Sequence, residues 1–112
     1  MTEANTRTRT AVLHVSGDPA DVSRAVAAAN SLAETHPDLA VRVIVNGPAL
    51  EGVTSAGITL APMEGTTVEA CSVGMERRHV SPDQLQPTVH TVASAVTAIV
   101  DAQLEGAAYV RL

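Results

Sequence analysis

The stretch from Ala11 to Asn46 leaves this chain few ways to fold. Ala11-Val12-Leu13-His14-Val15 is a compact apolar run with a β-branched bias and reads as a buried strand. Ser16-Gly17-Asp18-Pro19 breaks it. Asp18 as N-cap, Pro19 as the first helical residue and Asp21 in the first turn mark a helix start. Val22, Val26, Ala29 and Ala33 then recur at helical spacing, with Ala25 and Leu32 widening the stripe. The helix is expected to end near Thr35, ahead of His36-Pro37. Val41 to Asn46 reads as a second strand, stopped by Gly47-Pro48. Strand, helix and strand within about 35 residues make a βαβ unit, whose crossover is expected to be right-handed.

The pattern then weakens and recovers. Gly52, Gly57, Pro62 and Gly65 interrupt any long helix between Ala49 and Gly65, so two short helical turns are expected, the second near Ala61-Pro62. Thr66 to Cys71 is predicted as the third strand and Ser72 to Arg78 as a short helix containing Gly74. Ser81-Pro82-Asp83-Gln84-Leu85 repeats the cap-proline helix start for one turn, and Thr88 to Val92 is a fourth, weaker strand. Ser94 is expected to cap a helix with Val96, Ile99, Val100 and Leu104 on its apolar side. Gly106 suits a left-handed helix end, and Ala107 to Arg111 closes the chain as a strand, with Tyr109 and Leu112 as anchors. This alternation predicts an α/β sandwich with a mainly parallel five-stranded sheet, one domain over residues 11–112.

Composition decides what fills the core and which partners are excluded. The chain has no Phe or Trp and one Tyr, so Val, Ala, Leu and Ile must pack flat strands against Ala-rich helices. Its formal charge is −5, from 7 basic and 12 acidic residues, with no long basic stretch for nucleic acid. Nothing approaches the roughly 20 apolar residues of a membrane span. Met1 to Thr10 is polar, carries arginines and lacks an apolar signal-peptide region, so residues 1–10 are expected to form a flexible tail. One cysteine excludes an internal disulfide and points to the cytoplasm.

In open parallel sheets, ligands sit beyond the carboxyl ends of the strands. Here those ends deliver His14, Ser16 and Gly17; Asn46 and Gly47; and Cys71 and Ser72. Val68-Glu69-Ala70-Cys71 runs from a strand into Ser72-Val73-Gly74-Met75-Glu76-Arg77-Arg78-His79, a short basic helix. A thiol at that junction meets backbone N–H groups and the positive helix end, with Arg77, Arg78 and His79 nearby. The bland reading of Cys71 is a small buried hydrophobe. The alternative is a reactive thiol, for which the thiolate is the nucleophile.

Val12-Leu13-His14-Val15 with the Ala-rich helix and Asn30-Ser31-Leu32, Val43-Ile44-Val45-Asn46-Gly47-Pro48-Ala49-Leu50, Val68-Glu69-Ala70-Cys71 with Met75, and Gln103-Leu104-Glu105-Gly106-Ala107-Ala108-Tyr109-Val110 together resemble the DsrE/DsrF-like family, of the YchN-like fold. The resemblance spans most of residues 11 to 112. It implies a three-layer α/β/α domain that assembles as a homotrimer or homohexamer. In sulfur-relay members a cysteine accepts sulfane sulfur as a persulfide and hands it on, and Cys71 is the matching position. The family's Asn-Thr or Asn-Ser after the cysteine is replaced by Ser72-Val73-Gly74, the segment between Leu50 and Thr67 is short, and Ala107 stands where a Trp is often found.

These readings define an expected site: Cys71 as the sulfur-bearing residue, with His14, Asn46, Gly47, Ser72, Arg77 and Arg78 around it. His14 reads either as a base or as a side chain satisfied by a backbone carbonyl. Asn46 is a turn former in the simplest case. Arg77 and Arg78 complement a helix C-terminus and, as a pair, suit a sulfur-oxo anion or a partner's carboxylate. His79 reads as a solvated helix end, and His36 and His90 receive no role. One Cys and four scattered His show no metal-ligand spacing. Gly47-Pro48 opens neither a phosphate loop nor a dinucleotide fingerprint, so no cofactor is expected. The expected function is a cytoplasmic sulfur carrier, sulfurtransferase-like, with donor and acceptor proteins as partners. The alternative is a non-catalytic oligomeric binding or scaffold module with an inert Cys71. A hydrolase or transferase based on Ser72 or Ser16 is a third reading, without an elbow motif behind it.

Overall fold

Each strand is laid down where the β-branched runs lie, and each pairing is parallel. The computed structural model describes residues 7–112. Strands β1 (Arg9–Val15), β2 (Leu39–Val45), β3 (Thr66–Cys71), β4 (Val89–Val92) and β5 (Ala108–Arg111) form one five-stranded sheet in the order β4-β3-β2-β1-β5. The registers run Leu13 to Val43 and Val43 to Val68, with Val12 beside Tyr109 and Cys71 beside Val92. Helix α1 (Ala20–Thr35) joins β1 to β2, α2 (Ser72–Arg77) joins β3 to β4, and α3 (Ala95–Leu104) joins β4 to β5.

The topology explains the three layers. From β1 the chain steps across the sheet in one direction to β2, β3 and β4. It then returns over the whole sheet to reach β5 beside β1. A right-handed crossover that reverses its direction of travel must lie on the opposite face. Thus α3 covers one face, while α1 and a 3-10 segment, Gly47–Val53, cover the other.

The α1 face holds the main core. Leu13 and Val15 of β1, Val41, Val43 and Val45 of β2, and Val68 and Ala70 of β3 meet Val22, Ala25, Val26, Ala29 and Ala33 of α1, with Leu50 and Val53 from the 3-10 segment. Ala at three of those five helix positions lets α1 lie close to the sheet, which replaces aromatic volume with short interlayer distance. The α1 start follows expectation: Asp18 Oδ1 accepts from Ala20 N at 2.9 Å.

Several boundaries differ from the sequence reading. Arg9 and Thr10, assigned to the tail, belong to β1. Arg9 pairs with Asp38 at 2.7 Å, and Arg7 donates to the carbonyls of Ala33 and Leu39 at 3.1 and 2.8 Å, so the strand is tied down from its first residue. Residues 1–6 of the expected tail lie outside the described residues. The second helical turn near Ala61-Pro62 is absent. Instead, Asn30 on α1 accepts from Met63 N and donates to Ala61 O, and Gln86 accepts from Leu60 N. Side chains satisfy this backbone in place of a helix.

The face of α3 also differs. Ala95, Ile99 and Ala102 are the buried positions, packed on Val12, Ile44 and Cys71. Val96, Val100 and Leu104, expected to face inward, are 68%, 48% and 81% exposed. The helix lays its small residues on the sheet and leaves its bulky aliphatic stripe outside. Tyr109, on edge strand β5, and Leu112, just beyond it, anchor the end through His14, with Tyr109 Oη 2.7 Å from its Nδ1 and Leu112 N donating to its carbonyl at 2.9 Å, while their side chains stay partly exposed.

Candidate functional site

Cys71 ends β3 with its side chain on the α3 face, and the chain turns into α2 at the next residue. Its Sγ caps that helix, accepting from Gly74 N at 3.4 Å. A second donor comes from elsewhere in the sequence: Ala95 N, in the first turn of α3, lies 3.2 Å from the same sulfur. The two helix starts meet there because β4 runs beside β3 and α3 begins just beyond it. Ser94 caps α3 as expected, accepting from Thr97 N at 3.4 Å.

The sulfur lines a cleft of about 410 Å³ with Asn46, Gly47, Val73, Gly74, Arg77, Arg78, Ser94, Ala95 and Val96. Little of it reaches the surface: Cys71 is 5% exposed. It is therefore an inner wall of the cleft, beneath a cationic rim. The rim charge is not spent within the fold. Arg9, Arg24 and Arg42 pair with Asp38, Asp21 and Glu69, whereas Arg77 and Arg78 form no ion pair among the described residues.

Gly47 closes the floor of the cleft. It adopts φ +61°, and a Cβ there would lie 2.7 Å from Ser16 O, so the ends of β1 and β2 can approach only through glycine. Asn46 sits at the same turn and does more than form it. Its Oδ1 lies 2.9 Å from His14 Nε2, and His14 Nδ1 lies 2.7 Å from Tyr109 Oη. His14 is thus satisfied by side chains rather than by a backbone carbonyl. Beside it, Arg111 Nη2 donates to Ser16 Oγ at 3.0 Å.

Of the residues expected at the site, Cys71, Asn46, Gly47, Arg77 and Arg78 converge on the cleft. His14 reaches it through Asn46. Ser72 does not: it is exposed and lines a neighbouring groove with Met75, Val80 and Thr91. A residue directly after a strand-end cap turns away from the side chain that caps it. His79 ends α2 in the left-handed region at φ +58° and is exposed. The sequence reading missed Ala95 and Tyr109. The capping signal at Ser94 located the helix start, but only strand order places it over Cys71. Among the described residues, no three His, Cys, Asp or Glu side chains gather as metal ligands, and no helix is long and apolar enough to cross a membrane.

Elsewhere on the α3 face, Arg42 meets Glu69 through two hydrogen bonds, at 2.8 and 2.6 Å, and Thr67 donates to the same carboxylate at 2.9 Å. Donating to the Glu69 carboxylate holds the Arg42 guanidinium pKa above its ordinary value, against the opposing effect of burial. Glu69 lies two residues before Cys71 on β3, on the same face of the sheet.

No protein-family model and no curated protein matches the chain. Two solved structures share its fold. A protein of unknown function, MTH1491 from Methanobacterium thermoautotrophicum, superposes with a TM-score of 0.77 at 21% identity, over 94% of this chain and 100% of that one. The ychN protein from E. coli superposes with a TM-score of 0.67 at 12% identity, over 93% of this chain and 100% of that one. The chain therefore has a YchN/DsrE-like α/β fold.

Proposed function

We propose that this domain of YchN/DsrE-like fold is a sulfur carrier that holds sulfane sulfur on Cys71 as a persulfide. The observation that carries the reading is the double cradle of the sulfur: two backbone N–H groups, Gly74 and Ala95, point at Sγ inside a cleft rimmed by Arg77 and Arg78. Fixed donors of this kind face the atom on which charge develops as sulfur is taken up or handed on. In loading, the Cys71 thiolate attacks the outer sulfur of a donor persulfide, R–S–SH. The Sγ–S bond forms, the donor S–S bond breaks, and R–S⁻ leaves with the electron pair. In unloading, an acceptor thiolate attacks the outer sulfur of Cys71–S–SH and the Cys71 thiolate leaves. Both outside thiols belong to partner proteins, so one cysteine suffices. A reducing cytoplasm is the compartment that keeps such a thiol free.

Incubation with a sulfane donor, followed by intact mass, is expected to add one sulfur to the wild type and none to Cys71→Ser. No adduct from persulfide donors would sink the reading.

A second reading rests on the burial of Cys71, packed with Val12, Ile44, Ala95, Ile99 and Ala102. In it the sulfur is an inert core atom and the domain is a scaffold. Alkylation separates the two, because an inert thiol labels no faster in the native protein than in an unfolded control. Under both readings the exposed Val96, Val100 and Leu104 support burial against other copies in a homotrimer or homohexamer. Sedimentation of the wild type against Leu104→Lys tests that assembly.

A further inference from the structure

We infer that Tyr109 and His14 are positioning residues that lock the Asn46 carboxamide as an anion donor in the Cys71 cleft. The inference starts from a hydrogen-bonded chain that links β5, the end of β1 and the turn after β2. Tyr109 Oη lies 2.7 Å from His14 Nδ1, and His14 Nε2 lies 2.9 Å from Asn46 Oδ1. A carboxamide oxygen only accepts, so Nε2 carries the proton. In the neutral ring with Nε2 protonated, Nδ1 accepts from the Tyr109 hydroxyl, which completes the hydrogen bonds of that tautomer and holds the ring from outside the cleft.

The consequence falls on the other end of the amide. With Oδ1 engaged, Asn46 Nδ2 is left without a protein partner among the described residues, on a side chain that lines the cleft beside Cys71. An unrestrained asparagine turns its amide about χ2 and presents oxygen or nitrogen alike. The lock selects nitrogen. The cleft lining contains no carboxylate, while Arg77 and Arg78 are unpaired within the described residues. Donors and positive charge without a counter-charge define a site for a small anion.

Resting on the sulfur-carrier reading, the ligand class is a sulfane donor that carries an oxyanion, with thiosulfate as its simplest member. The Cys71 thiolate would take the outer sulfur of thiosulfate. The Sγ–S bond forms, the thiosulfate S–S bond breaks, and sulfite leaves with the electron pair.

The test separates binding from transfer. In Cys71→Ser no sulfur can load, so thiosulfate binding is followed alone through the Asn46 side-chain amide signals by NMR titration. The expected result is a saturable shift whose Kd weakens about 3- to 10-fold in Tyr109→Phe and in His14→Phe, the size of one lost hydrogen bond. The two changes together are expected to weaken it no further. His14→Gln, which can still donate to Asn46 Oδ1, is expected to restore binding toward the Cys71→Ser value. Tyr109→Phe removes only a hydroxyl from an exposed ring, so it answers the question even if His14→Phe fails to fold. An unshifted Asn46 amide overturns the inference, and so does a Kd within twofold in Tyr109→Phe. Persulfide loading of the otherwise wild-type chain is read separately by mass. Binding without loading removes the sulfur-carrier reading and leaves the lock standing. Loading with an unmoved Kd removes the lock alone.

Discussion

The two faces of the sheet are built to different rules. On the α1 face, alternating Val, Leu and Ala side chains close against a four-turn helix and the 3-10 segment, with no charged residue in the cluster. On the α3 face one ten-residue helix touches the sheet through Ala95, Ile99 and Ala102. That face carries His14, Arg42, Glu69 and Cys71, each polar group held by a named partner. The comparison teaches where this fold keeps its stability and where it keeps its chemistry. A thinly covered face can accept polar side chains because water and paired groups satisfy them. The sealed α1 face does so at one point among the described residues, Thr66, whose buried Oγ1 has no hydrogen-bond partner.

Truncations on the two faces give the largest test of that difference. Leu50→Ala, in the sealed core, is expected to cost about 3 kcal/mol, from lost burial plus a cavity that cannot relax. Ile99→Ala, beneath α3, is expected to cost about half as much, because the helix can settle onto the sheet. Urea unfolding of both variants checks this, and equal losses would break the comparison.

Gly47→Ala probes the seam where the faces meet. A Cβ at φ +61°, 2.7 Å from Ser16 O, is expected to destabilise by about 2 kcal/mol, read as a lowered Tm. Unchanged melting would mean that the strand ends separate easily.

The ion pair tests the polar economy of the thin face. Glu69→Ala leaves Arg42 half-buried and unpaired and is expected to cost about 1.5 kcal/mol, below the figure for a fully buried pair because Arg42 still reaches water. Replacing both partners by Met is expected to recover most of that loss. A double variant no better than Glu69→Ala would show that the pair itself, rather than the orphaned charge, holds this face.

The smallest effect is expected at the exposed Arg9–Asp38 pair. The Arg9 guanidinium, hydrogen-bonded to Asp38, holds its carboxyl below the ordinary value of 3.8. Folding then favours the charged form. The contribution is present above pH 3.8 and is lost as pH falls through the lower folded-state value. Asp38→Asn is expected to lower Tm slightly near neutrality and to converge with the wild type in acid. A constant offset down to acid pH would contradict that linkage.

Much of the fold was legible because local rules and tertiary packing agreed. Thr66–Cys71 was read as it stands, and the start of α1 was marked by Asp18 and Pro19. Errors came where distant residues supplied the decision. Arg9 looks like a tail residue until Asp38 is placed beside it. Ala61-Pro62 looks like a helix start until Asn30 takes its backbone groups. On α3 the large aliphatics suggested the buried face, yet Ala95 and Ala102 allow closer contact with the sheet. At the site, strand-end position was enough to collect Cys71, Asn46 and Gly47. It could not separate Ser72, whose side chain leaves the cleft, or reveal Tyr109, which arrives from the far edge strand.

By itself the amino-acid order determined the alternation of strands and helices, the caps that begin α1 and α3, and the junction that puts a thiol at a strand end. These depend on neighbours within a turn or two, whose sterics and hydrogen bonds are written locally. Only the tertiary structure decided that α3 crosses back over the sheet, bringing Ala95 N to the Cys71 sulfur and Tyr109 to His14. Those contacts join residues separated by most of a crossover or by nearly the whole chain. Nothing short of the strand order brings them within a hydrogen bond's length.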